Sequence, residues 1–126
     1  MKKITFLFWF LVVFGQMKGQ TSNQSLQDNL VRLYNNSDYQ GFYNLGSSEW
    51  KLCHDYTNII GWLKWMHNQT GNLSSWKLMN DTGKYQLIRW EGEHKVTGFM
   101  LRPGKKGEFN DFNFVPLSEP LSLRRQ

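Results

Sequence analysis

Cysteine is almost missing from this chain. Cys53 is alone, so no intramolecular disulfide can form and the stapled scaffolds of small exported domains are excluded. A lone thiol of this kind reads as a small buried apolar side chain, with pairing between molecules open to it only if it is exposed. Histidine is scarce too: His54, His67 and His94 have no paired spacing and Cys53 has no companion at C-x-x-C distance, so no metal and no cofactor are expected. With only three prolines there is no low-complexity linker, and no internal repeat breaks the chain into units.

Long hydrophobic runs are lacking as well. The one apolar stretch, Ile4 to Phe14, is well short of the about twenty residues that a bilayer-crossing helix needs. Preceded by Met1-Lys2-Lys3 and followed by Met17-Lys18-Gly19, it reads as a secretory signal peptide over residues 1–19, cut before Gln20. The expected product is exported, periplasmic or extracellular, with no membrane span after cleavage. The formal charge of +5 then shrinks, because Lys2, Lys3 and Lys18 leave with the leader and no acid does. So small a remainder argues against nucleic acid or anionic lipid as a partner. Lys105-Lys106 reads as a solvated turn and Arg124-Arg125 as part of a loose tail over 117–126.

What remains is one domain, residues 20–116, long enough to bury a core without staples. Ser22 or Ser25 caps a first helix whose Leu26, Leu30, Leu33 and Tyr34 share one face, and Asn35-Asn36-Ser37 stops it. Ser37 caps a short second helix with Tyr39, Phe42 and Tyr43, ended by Leu45-Gly46. A third helix runs from Asp55 to about Gln69 with Tyr56, Ile59, Ile60, Leu63 and His67 as its stripe. Trp62 and Met66 lie on the flank. Trp65 points nearly opposite, and is read as packing under the second helix or the chain end, with a partner contact as the alternative.

Behind Gly71 the period changes to about two, and four strands follow near 75–80, 85–91, 95–102 and 108–115, separated by turn residues. Helices first and an antiparallel meander after them specify an α+β fold, with N-terminal helices packed on a four-stranded sheet. Ile59, Ile60 and Leu63 are expected against Ile88, Trp90, Phe112 and Phe114.

The order of these elements, with Tyr39-Gln40-Gly41-Phe42-Tyr43-Asn44-Leu45, Ser48-Glu49-Trp50-Lys51, Gly71-Asn72-Leu73 and Lys95-Val96-Thr97-Gly98-Phe99-Met100-Leu101-Arg102-Pro103, resembles a known group. These are small secreted domains of unknown function with a nuclear transport factor 2-like, or cystatin-like, cone fold, of the kind found fused ahead of β-lactamase-like serine hydrolases. The similarity covers about residues 24–116. It implies a curved antiparallel sheet, a helical layer packed into it and a conical cavity. The chain stops at Gln126 without the hydrolase domain, so the activity of that partner is not expected here.

Chemistry-bearing motifs are thin. Ser48-Glu49-Trp50-Lys51 and Ser74-Ser75-Trp76-Lys77 match S-x-x-K, but S-D-N and K-T-G are missing and the second match falls on a strand, where i and i+3 face opposite sides. Cys53-His54 are adjacent and seldom face each other. Gly104-Lys105-Lys106-Gly107 leads into a strand, so it is a hairpin connection and not a phosphate loop. Asn-x-Ser/Thr triplets at Asn23, Asn35, Asn68, Asn72 and Asn80 read as asparagine-rich composition in a bacterial export product.

No catalytic residue is assigned. The reading taken is a non-enzymatic binding or accessory module that holds a small apolar ligand or an exported protein partner, with Tyr34, Tyr43, Tyr56, His67 and Trp90 around the cavity. The tryptophans left after the leader, Trp50, Trp62, Trp65, Trp76 and Trp90, are more aromatic surface than such a core needs, which favours recognition. The alternatives are a small acid–base enzyme built on His67 in the same cavity, and an accessory domain beside a separate serine hydrolase. Apolar residues at both parities of the second and third strands also place Tyr85, Leu87, Phe99 and Leu101 on an outer face, pointing to a homodimer or to cover by Leu117, Leu121 and Leu123.

Overall fold

A computed structural model describes residues 18–117, with side chains from Gln24 onward. It is an α+β fold in which helices α1 (Lys18–Asn35), α2 (Tyr39–Asn44), α3 (Ser48–Cys53) and α4 (Tyr56–Thr70) precede strands β1 (Leu73–Asp81), β2 (Gln86–Gly92), β3 (Val96–Pro103) and β4 (Phe109–Val115). The strands form one open antiparallel sheet in the order β1-β2-β3-β4. Residues 1–17 of the expected leader and the tail beyond Leu117, with Leu121 and Leu123, lie outside the described residues.

The helices follow local chemistry, with three departures from expectation. The first concerns α1, which begins at Lys18, ahead of Ser22 and Ser25, and buries Leu26, Leu30, Leu33 and Tyr34 as one stripe. At its end Ser37 adopts φ 59°, and the Asp38 N–H reaches back to the Leu33 carbonyl while that of Ser37 reaches Tyr34. That is a left-handed helix stop normally made by glycine. Second, α2 is capped by Asp38, whose carboxylate accepts the Gly41 N–H at 2.9 Å, because Ser37 is already spent in that stop. Third, Ser48–Cys53 forms α3, a one-and-a-half-turn helix too short to show a periodic stripe, capped by Ser47 accepting from the Trp50 N–H. Helix α4 is capped by Asp55, as expected, its carboxylate accepting the Asn58 N–H, and it stops at Gly71, φ 71°.

The sheet's edges are closed locally by side chain and loop. At the start of β1 the Asn35 amide donates to the Leu73 carbonyl at 2.9 Å and accepts the Leu73 N–H at 2.7 Å, standing in for a neighbouring strand. At the start of β4 Phe109 exchanges hydrogen bonds with Leu45 and Ser47 of the α2–α3 link.

The core lies between the helices and one sheet face. Ile59 and Leu63 of α4 join Ile88, Trp90 and Phe112 in a single buried cluster, with Phe114 packed at its margin. Ile60 is only half-buried, and Met66 takes the place in the cluster that its flank position did not suggest. Aromatic rings fill the interior: Trp90 stacks on Phe99 at 4.1 Å, Phe42 lies edge-on to Phe112 at 5.3 Å, and Tyr34 meets Trp90 at 5.0 Å. Among the polar groups carried into this layer, Gln27 accepts the Trp90 indole N–H at 2.9 Å and Thr70 bonds the Tyr34 hydroxyl at 2.7 Å.

Register corrects the outer-face expectation. Directly opposed residues of an antiparallel pair share a face. Ile88 opposes Phe99 and Gln86 opposes Leu101, so Phe99 and Leu101 point into the core and are fully buried. The other face carries Leu87 opposite Met100 and Arg89 opposite Gly98. Arg89 and Glu91 form a 2.7 Å ion pair there, making this a mixed face. Val115 and Leu117 close over Gly98, where an added Cβ would lie 2.8 Å from Val115 Cγ2 and 3.1 Å from Leu117 Cδ2.

Candidate functional site

Helix α4 presents Trp62, Trp65 and Met66 at i, i+3 and i+4, which is one side of a helix. Trp62 is anchored, stacking on Phe112 at 5.3 Å and meeting Phe114 edge-on at 5.2 Å. Met66 is buried beside it. Trp65 is 55% exposed. Across from them stand Val96 and Thr97 at the start of β3, Phe114 at the end of β4, and Leu117. The two walls enclose an open groove of about 690 Å³, with His94 and Lys95 of the β2–β3 turn at its rim. That volume lies inside the range of small-molecule sites. The groove exists because β3 starts at Val96 while β4 stops at Val115, opposite Gly98: Pro116 cannot donate to the ladder, so Val96 and Thr97 run past the end of their neighbour.

The residues expected around a central cavity are distributed differently. Tyr34 and Trp90 are fully buried in the ring-filled interior, so a ligand could reach neither without displacing core. Burial pushes the Tyr34 phenol above the usual tyrosine range, and its hydroxyl is bonded to Thr70 Oγ1 at 2.7 Å. Tyr43 and Tyr56 form a separate pair at 5.0 Å, where Tyr43 donates to the His54 carbonyl at 3.0 Å and Tyr56 is exposed.

His67 does meet tyrosine. Its ring lies 4.5 Å from that of Tyr34, and Nδ1 is 2.7 Å from the hydroxyl of Tyr39, a partner the sequence reading left out. Nε2 is 2.7 Å from Asn72 Oδ1. One neutral tautomer satisfies both contacts, Tyr39 donating to Nδ1 and Nε2–H donating to Asn72. The imidazole thus ties the end of α4 to α2 and to the loop that enters β1, beside a polar cleft of about 290 Å³ that also carries Glu93 and His94.

Cys53 is exposed, contrary to the expectation of burial, because α3 is a short surface helix whose inward residue is Trp50. Its neighbour His54 stacks on Trp50 at 4.8 Å, with Nδ1 donating to the Trp50 carbonyl at 2.8 Å. Among the described residues no group of three or more His, Cys, Asp or Glu side chains is placed to hold a metal ion, and no helix is long and apolar enough to cross a membrane. Ser48 and Lys51 lie on α3, with Lys51 Nζ turned to the Asn44 carbonyl.

No family model matches the chain, and neither a curated protein nor a solved structure matches it.

The groove is not legible in the sequence because its walls come from α4 in the middle of the domain and from β3 and β4 near its end. The signal that could have found it was Trp65, a tryptophan out of phase with the apolar stripe of its helix.

Proposed function

We propose that this chain is a non-enzymatic binding module, exported and built as a small relative of the cone fold, that takes an apolar or amphipathic small molecule in the groove between α4 and the β2–β3 turn. The observation that carries the reading is Trp65: a large aromatic side chain, more than half exposed, on the wall of a groove whose other wall carries Val96, Phe114 and Leu117 beside the polar Thr97. Exposed aromatic surface of this kind is costly to leave in water and is characteristic of recognition sites. The engagement of both His67 nitrogens with partners of its own fold supports a positioning role for that residue over proton transfer. Export rests on the leader reading, and the kinship with the cone fold on the element order and the motifs quoted above.

The test is a titration with N-phenyl-1-naphthylamine, an uncharged apolar probe, followed by energy transfer from tryptophan. Saturable binding is expected, weakened about tenfold or more in Trp65→Ala, the loss of an anchoring aromatic contact. Equal binding by Trp65→Ala and the parent would refute the assignment.

A further inference from the structure

The rim of the groove says something about the ligand's polar end. The β2–β3 turn places Glu93, His94 and Lys95 in succession beside the apolar walls. Their charges do not cancel locally. Glu93 also lines the groove, but its carboxylate is engaged by the backbone: Oε1 accepts the Asn72 N–H at 2.9 Å and lies beside Gly71. Lys95 is exposed and, among the described residues, has no ion-pair partner; the one salt bridge there is Arg89 with Glu91. A lysine in this position can lay its stem along the apolar wall and keep its ammonium at the mouth.

Resting on the binding reading above, we infer that the groove recognises a single-chain amphipathic carboxylate, with the alkyl chain against Trp62, Trp65 and Phe114 and the anionic head at Lys95. The turn supplies the charge complementarity and α4 the apolar surface. A neutral chain of the same length lacks the first contact, and a cationic one is opposed by it.

Decanoate, 1-decanol and decyltrimethylammonium bind in that order of decreasing affinity, measured on the full chain by displacement of N-phenyl-1-naphthylamine. Lys95→Glu, which turns one solvent-exposed ion pair into a repulsion, weakens decanoate about five- to tenfold and leaves decanol within about twofold. Lys64→Glu, an equal charge change on an exposed residue of α4 that does not line the groove, leaves all three unchanged. Decanoate and decanol binding alike, or responding alike to Lys95→Glu, overturns the head-group assignment and leaves the groove standing. Failure of all three to displace the probe, or of the probe itself to bind, removes the groove reading beneath it. A dimer by light scattering that dissociates in Trp65→Ala and ignores decanoate makes a second copy the occupant and overturns the inference. So does decanoate binding that appears only after truncation behind Leu117, which makes residues 118–126 the occupant.

Discussion

Glycine to alanine at two positions tests the packing with one chemical change. At Gly46, in the link between α2 and α3, a Cβ would fall inside the contact distance of Trp50 Cε3, 2.7 Å from Trp50 Cζ3 and 3.2 Å from Phe109 Cε1. Trp50 cannot swing away freely, because Tyr43, His54 and Phe109 hold it at centroid distances of 5.3, 4.8 and 4.8 Å. Because the clash is with a ring held on three sides, the overpacking falls in the upper half of the usual range, about 2 to 3 kcal/mol, offset by about 0.4 to 1 kcal/mol from the stiffer unfolded chain. Gly46→Ala should therefore lose about 1 to 2 kcal/mol. At Gly61, exposed in the middle of α4, a Cβ meets nothing within 4 Å. Gly61→Ala should gain about 0.8 to 1 kcal/mol from helix propensity. In a domain of this size 1 kcal/mol moves Tm by about 4 to 8 °C, so the two variants should melt some 10 °C apart or more, in opposite directions from the parent. Urea melts at constant m-value give the same comparison free of heat-capacity effects. A neutral Gly46→Ala would mean that Trp50 does not pack on the α2–α3 link. Two shifts of the same sign would refute the reasoning altogether.

Two further predictions concern the core. Leu63→Ala, at a fully buried position of α4, should cost about 2 to 5 kcal/mol in denaturant melts, and a loss below about 1 kcal/mol would mean that this face of α4 is not the one against the sheet. Tyr34→Phe should show a pH signature: burial raises the folded-state pKa above the unfolded value near 10, so the folded chain keeps a proton that the unfolded chain gives up. The stability tied to Tyr34 is whole below about pH 10 and falls as pH rises beyond it, by up to about 1.4 kcal/mol per unit. The phenylalanine variant, about 1 kcal/mol less stable at pH 8 for want of the Thr70 bond, should close that gap between pH 10 and 11; a gap that stays constant would show Tyr34 to be solvated.

Much of this fold is legible in the order of residues because its elements announce themselves locally. A stripe such as Leu26, Leu30, Leu33 and Tyr34 has one low-energy solution, and Asp55 ahead of α4 or Asp81-Thr82-Gly83 between β1 and β2 marks a boundary through bonds reaching only two or three residues. Helix α3 escaped notice, since six residues make no periodic stripe. Which face of β3 turns inward was not legible either. Val96 and Met100 compete with Phe99 and Leu101, and hydropathy at both parities leaves the choice to pairing with β2, where the opposition of Ile88 and Phe99 settles every side chain of the strand. Gly46 carries the same lesson: placed at a helix end it reads as conformational, yet its φ is not positive, and what excludes a side chain is an indole four residues on. The candidate site was least legible of all. Trp65 is visible as a residue out of phase, but its groove needs Val96 and Phe114 brought against α4 from more than twenty-five residues away, and only tertiary packing joins surfaces at that separation. The sequence by itself determined the longer helices and the strands, through interactions that act over a single turn; the tertiary structure decided which faces meet, because register and packing depend on residues distant in the chain.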